Sequence, residues 1–323
     1  VSVKPDIVAY HFPCADGFTA AWAVHQQFGG DGITYLPQTY GKPAPDFTGK
    51  NVVVVDFSYP LHVLARLAAT AKSILILDHH KTARDDMAGL PLAATTWDKH
   101  IKLATGHGYG GATDRSAMMF RNVGVLFDME RSGAGLAWDY FCGKPNSFVP
   151  PIVRYAQDRD LWRFKLPHSR QISSWMFSHP YDFDTWTKLD QTLSSLGGLN
   201  QAVLEGEAIE RKHMKDVSEI LAETRRPMVL DGQLVEAANM PYTMASDGAG
   251  KLAETSLFGA TYFDDSNGVR TFSLRARPGV YDVGQAAQRI AARLGTTGGG
   301  HAPSAGFKAP AGWEGEVFTQ VDD

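Results

Sequence analysis

Three short apolar runs punctuate the first eighty residues: "IVAY" at 7–10, "VVVVDFS" at 52–58 and "SILILDHH" at 73–80. Each is rich in β-branched residues, is continuously apolar, and ends in polar residues. Runs of this kind suit strands buried on both faces of a parallel sheet. Helix-like stretches, "GFTAAWAVHQQF" and "YPLHVLARLAATA", lie between them. The alternation predicts an α/β fold whose N-terminal, mostly parallel sheet is flanked by helices. Further on, "LNQAVLEGEAIERKHMKDVSEILAET" (199–224) is rich in Ala, Leu, Glu and Lys and free of proline, which predicts a long helix with a solvated charged face. "RRPMVL" and "QLVEAANM" then open a smaller strand-rich unit, and "VGQAAQRIAARLG" (283–295) reads as an amphipathic helix stopped at Gly295. The organisation expected is a domain at 1–195, a helical linker at 196–224 and a smaller α/β domain at 225–323. A length of 323 residues agrees with two domains.

Composition narrows the function. An apolar fraction of 44% is ordinary for a globular protein. A net charge of −4 gives no global basic footprint, which argues against a protein that coats long nucleic acid. Two cysteines, Cys14 and Cys142, make no disulfide framework and suit a reducing compartment. No run approaches the ~20 apolar residues of a spanning helix, and "VSVKPDIVAY" lacks an apolar signal core. A cytoplasmic protein without a membrane partner is the expectation.

The chemistry lies where the strands end. Ligands of open α/β sheets gather at the carboxyl ends of strands, and His11, Cys14, Asp16, Asp56, Asp78, His79 and His80 all fall there. One Asp- and Gly-containing loop would be turn chemistry. Three successive strand ends that each deliver carboxylate or imidazole are a ligand set. Clustered carboxylates repel unless a cation neutralises them, and mixed Asp/His sets suit Mn²⁺ or a similar borderline metal. Two such ions sharing one carboxylate, about 3.5–4 Å apart, activate water and neutralise phosphoryl oxygens.

At these residues the chain resembles a family. "LDHHKT" (77–82) is similar to the Asp-His-His signature of the DHH phosphoesterases, "HFPCADGFTAA" (11–21) to their first motif and "VVDFSY" (54–59) to their second. "RYAQDRDLWRF" (154–164) resembles the fourth, and "FDMERSGAGLAW" (127–138) a segment between the third and fourth. "FSLRA" (272–276) and "GGGHAPSAGF" (298–307) resemble the DHH-associated C-terminal domain. The resemblance implies a site of two Mn²⁺ ions with His11, Asp16, Asp56, His79 and Asp158 as ligands and Asp56 as the bridge. It implies that His80 faces the phosphate, and that Asp78 orients its neighbours as second-layer carboxylates do. Most relatives carry aspartate where this chain has Cys14. A thiolate is softer and favours Zn²⁺ or Fe²⁺, so three outcomes stay open: Cys14 ligates, it leaves the first metal position weak, or it only packs beside the site.

In the C-terminal unit, the resemblance makes Gly298, Gly299, Gly300 and His301 the holders of the substrate's phosphate end, and so implies an active cleft between the two domains. Glycines let backbone N–H groups approach an anion, His301 adds a donor, and Arg275, on a strand pattern, is the natural cationic partner. Arg131 and Ser132 are further candidates for phosphate contact. Arg154 and Arg159 read as surface charges, and Trp138, Trp162 and Trp175 as core. The glycine-containing stretch 96–112 reads as a loop or lid insertion whose His100 and His107 stay out of the site. The residues "VDD" at the end read as frayed.

The function implied is metal-dependent hydrolysis of short linear oligoribonucleotides or dinucleotides, such as pGpG, to mononucleotides. The partner is then a short nucleotide or another small phosphorylated substrate. An exopolyphosphatase or pyrophosphatase is the alternative within enzymes. A catalytically weak nucleotide-binding module is the alternative outside them. Base preference and oligomeric state, a homodimer included, lie beyond the motifs.

Overall fold

Odd and even positions of the apolar runs part company in the structure, a computed structural model that describes residues 3–106, 108–109, 119–143 and 148–316. Five strands, β1 (Ile7–His11), β2 (Thr34–Gln38), β3 (Asn51–Val55), β4 (Ser73–Asp78) and β5 (Val123–Phe127), form one sheet in the order β2-β1-β3-β4-β5. Every pairing in it is parallel. Val8, Tyr10, Val53, Val55, Leu75 and Leu77 face one core with Phe18 and Trp22 of helix α1 (Ala15–Phe28). Ile7, Ala9, Val52, Val54, Ile74, Ile76 and Val125 face a second core, which includes Leu64 of α2 (Leu61–Ala68). A strand that serves two cores must be apolar at every position, which is why these segments do not alternate. Strand β2 is one of the two edge strands, and it accommodates Pro37.

After the short α3 (Lys81–Asp86), the stretch expected to be a loop or lid contains a capped helix instead, α4 (Trp97–Thr105). Thr96 Oγ1 accepts the Lys99 N–H, and Trp97, His100, Ile101 and Ala104 are buried along one face. His107 and residues 110–112 of that stretch, like the terminal "VDD", lie outside the described residues. His100 is fully buried, its Nδ1 lies 2.5 Å from the Tyr109 hydroxyl, and burial pulls its pKa down to about 4.

His100 makes folding acid-sensitive. The unfolded histidine takes a proton near pH 6.5, and the folded one refuses it until about pH 4. Its contribution is therefore complete above pH 6.5 and is lost progressively as pH falls toward 4, by roughly 3 kcal/mol in all. Urea melts at intervals between pH 7 and pH 4 measure this slope, and His100→Gln should flatten it.

Helices α5 (Gly133–Phe141), α6 (Pro151–Asp160), α7 (Ser169–Phe177) and α8 (Phe183–Leu193) supply Ala134, Ile152, Met176 and Trp186 to the core beneath α1. Trp175 belongs to that core and Trp138 packs against it, but Trp162 does neither. The chain divides into two compact units, Val1–Ile209 and Glu210–Asp323, with the division inside the long helix α9 (Leu196–Thr224). Among the described residues no helix is long and apolar enough to cross a membrane.

The second unit is built on a six-stranded sheet of β6 (Arg225–Leu230), β7 (Gln233–Asn239), β8 (Gly259–Asp264), β9 (Val269–Arg275), β10 (Gly298–His301) and β11 (Ser304–Pro310), in the order β10-β11-β9-β8-β7-β6. Only β7 and β8 pair in parallel. Arg270, Phe272 and Leu274 of β9 are buried while the residues between them are not, the alternation of a sheet with unlike faces. Helix α10 (Ala245–Leu252) precedes β8. Helix α11 (Val283–Leu294) is capped by Asp282, which accepts the Gln285 N–H, and stops where Gly295 takes a left-handed turn at φ 65°.

Candidate metal centre

The strand register assembles the centre. Tyr10 pairs with Val55 and Val55 with Leu77, so the next residues, His11, Asp56 and Asp78, form a row along the carboxyl edge of the sheet. The Asp56 N–H extends the ladder to the Leu77 carbonyl, and its backbone then turns left-handed at φ 52°. That conformation costs a side-chain-bearing residue roughly 1–2 kcal/mol, and Asp and Asn bear it best. The turn leaves the two carboxylate oxygens facing different partners. Oδ2 lies 3.8 Å from His11 Nδ1, and Oδ1 lies 3.1 Å from His79 Nε2. Two glycines make the room. A Cβ on Gly133 would come within 2.4 Å of the Asp56 Cβ, and one on Gly17 within 2.2 Å of the His11 carbonyl and 3.0 Å of Asp56 Oδ2.

Two donor sets without a common residue result. His11, Cys14 and Asp56 offer nitrogen, sulfur and oxygen within 4.8 Å of one another, and Asp16, His79 and Asp160 offer two oxygens around a nitrogen within the same limit. His79 Nε2 stands 3.9 Å from Asp16 Oδ2 and 3.5 Å from Asp160 Oδ2. Asp16 Oδ1 accepts the Ala134 N–H at 3.2 Å, while its Oδ2 is buried and receives no hydrogen bond. Burial, then the charges of Asp160 and Asp56, push the Asp16 carboxyl well above the usual range. Burial works against ionisation of Asp56 too, but the neighbouring His11 and His79 imidazoles hold it below the usual range. Burial opposes a charged His79, yet the Asp56 bond and the Asp160 and Asp16 charges raise it to about 10. Burial and the same three aspartates push the Cys14 thiol up. Three carboxylates around one imidazole leave negative charge uncancelled in a largely buried cluster, and the bare Asp16 oxygen marks where a cation would sit. The residues fit divalent metal.

Asp78 is committed elsewhere. Its Oδ1 accepts the His79 N–H and lies 2.7 Å from His80 Nδ1, while Oδ2 accepts the Ser58 hydroxyl at 2.6 Å. Burial alone would discharge His80, but Asp78 outweighs it and raises the imidazole. The rings of Tyr40 and Phe57 stand beside His11, at 5.6 and 6.3 Å.

The structure does not bring Asp158 to this cluster. It is buried, and its carboxylate accepts the Lys165 and Leu166 N–H groups at 3.0 and 3.1 Å, tying down the turn that follows α6. Asp160, two residues on, approaches His79 instead. Asp160, Ser58, Gly17 and Gly133 lie inside the motifs, but the motifs alone give them no role. A glycine within the first turn of a helix was the available signal for the last two, because it costs helix stability and so needs a packing reason. Ser132 is fully buried and accepts the Gly135 N–H as the cap of α5. Arg131 pairs with Asp139 at 2.5 Å. Arg159 lies 4.3 Å over the Trp162 ring rather than standing as a bare surface charge.

In the second unit Arg275 pairs in register with Ser304, and Ser304 with His301, so all three share a row and a face of the sheet. Arg275 donates to Ser246 Oγ at 2.7 Å. The glycines beside His301 also serve packing. A Cβ on Gly298 would meet the Ala287 carbonyl at 2.6 Å, and Gly300 has φ 142° with the Ser304 carbonyl 2.6 Å from its Cβ position.

No family model matches the chain. The uncharacterised protein R106 of Acanthamoeba polyphaga mimivirus is 27% identical over 345 residues, spanning 98% of this chain and 70% of the viral protein. Similar solved structures include the pGpG-specific phosphodiesterase PggH of Vibrio cholerae, at 10% identity and TM-score 0.37 over 95% of this chain and 94% of that one. Another is RecJ of Thermus thermophilus in complex with Mg²⁺, at 14% identity and TM-score 0.40 over 95% of this chain and 47% of RecJ. Overlaps this loose carry no inference about activity. What fold and site define on their own is an α/β protein with a histidine–carboxylate centre at the carboxyl edge of a parallel sheet. The likeness to the DHH phosphoesterases rests on the residues that build that centre.

Proposed function

We propose that the chain is a phosphoesterase of the DHH kind, using two divalent cations to hydrolyse short linear oligoribonucleotides or dinucleotides such as pGpG to mononucleotides. The observation that carries this reading is Asp56, whose two oxygens face separate donor sets. When bound, the cations supply an activated water and neutralise the charge developing on the phosphoryl oxygens. The protein's own work is positional. Asp56 holds the two donor sets in fixed relation, Asp78 orients His80, and His80 offers a charged donor to a phosphoryl oxygen or a leaving oxygen. In the second unit, Arg275, His301 and the N–H groups of Gly298, Gly299 and Gly300 take the terminal phosphate.

A panel assay tests the reading. Purified protein with Mn²⁺ or Mg²⁺ is given pGpG, pApA, a five-residue RNA, cyclic di-GMP, pAp and polyphosphate. Mononucleotide release from the short linear RNAs is expected. Orthophosphate release from polyphosphate alone would assign an exopolyphosphatase, and binding without turnover a nucleotide-binding module.

A further inference from the structure

Resting on the two-cation reading, the geometry points to a mixed-metal centre: we propose that His11, Cys14 and Asp56 take a thiophilic cation of the Zn²⁺ or Fe²⁺ class, and that Asp16, His79 and Asp160 take a harder one of the Mn²⁺ or Mg²⁺ class. Cys14 heads helix α1, directly after β1 and its His11, so the chain itself carries the sulfur to the sheet edge. The sulfur is grouped with an imidazole nitrogen and a carboxylate oxygen within 4.8 Å, which separates it from cysteines that only fill space. The other set has no sulfur and two carboxylates. Soft thiolate selects Zn²⁺ or Fe²⁺, whereas oxygen-rich sets suit Mn²⁺ and Mg²⁺. Asp56 belongs to the sulfur-containing set and also reaches the other, its Oδ2 lying 3.8 Å from His11 and its Oδ1 3.1 Å from His79. Binding at the first position forms a metal–sulfur bond and releases the thiol proton to solvent. The single replacement of an oxygen donor by sulfur thus makes two otherwise similar positions chemically distinct.

The full-length protein, stripped with a chelator, is titrated with Co²⁺ and followed by absorption. One equivalent should develop a thiolate-to-cobalt charge-transfer band in the near ultraviolet, and a second should bind without adding to it. Cys14→Ser should lose the band while still binding at least one Co²⁺. With Zn²⁺ and Mn²⁺ supplied together, metal analysis should return one of each per chain, with the six-line paramagnetic spectrum of isolated Mn²⁺. Cys14→Asp should shift the content to two Mn²⁺ with a spin-coupled spectrum. Two Co²⁺ bound to the wild type without the band, or a coupled Mn²⁺ pair in the presence of Zn²⁺, would overturn the mixed-metal assignment and leave the phosphoesterase reading standing. Failure of the wild type to bind any divalent cation would remove both. Circular dichroism melts of the variants separate ligand loss from misfolding, and the wild-type titration stands without them.

Discussion

Asp56→Asn is expected to reduce phosphodiester hydrolysis to background and to lower the stoichiometry of bound metal. Asparagine is the informative replacement because it tolerates the left-handed backbone at φ 52°, where alanine would add strain of its own. It keeps one oxygen and loses the charge, so it cannot serve both donor sets. Loss of a group that merely supports a metal ligand typically costs 10–100-fold in affinity or activity. A residue that directly serves two positions should cost about 100-fold at each, a combined loss on the order of 10⁴-fold. Steady-state rates with Mn²⁺, together with metal content by elemental analysis, make the check. A variant that keeps a tenth of wild-type turnover would show that Asp56 does not bridge.

Asp160→Ala and Asp158→Ala should fail in different ways. Without Asp160 the His79 set loses a donor, so turnover should drop at least about 100-fold while thermal stability holds or rises, because three crowded carboxylates become two. Without Asp158 the Lys165 and Leu166 N–H groups lose a charged acceptor. The turn they anchor carries left-handed backbone at Trp162 and Phe164, with φ of 54° and 47°. Each such bond is worth about 1.5–3 kcal/mol, so melting should shift downward by several degrees. Metal titration and thermal melts of the two proteins distinguish the roles. Equal loss of metal binding in both would mean that the turn, and not the Asp160 carboxylate, is what the centre needs.

This pair shows where sequence reading stops. "QDRD" offers two carboxylates two positions apart near the end of one helix, and two helical steps turn a side chain through roughly 200°. One of them must face the sheet and the other must not. The motif resemblance cannot choose, because the choice depends on how α6 rotates against α1 and α5. The strand ends were legible for the opposite reason. A strand buried on both faces fixes its own register, and a parallel register puts the residues after three strands in one row. Ser132 reads from the sequence as a phosphate contact and lies fully buried as the cap of α5, since a helix-capping hydroxyl and a ligand-binding one share the same local pattern. The helix Trp97–Thr105 is masked in the sequence by nearby glycines, which outweigh the spacing of Trp97, His100, Ile101 and Ala104, the four positions that bury it.

The donor residues run from His11 to Asp160, and no short segment holds a full set. An unfolded chain therefore has no comparable site to offer, and a cation taken by this centre binds the native state. Free metal then acts as a folding ligand, adding about 2.7 kcal/mol when present at a hundred times its dissociation constant. That is a sizeable fraction of the stability of an ordinary domain. Starved of cations, the protein would spend longer unfolded and be degraded faster, so scarcity would be felt as lost abundance of the polypeptide before any change in the quality of the surviving molecules.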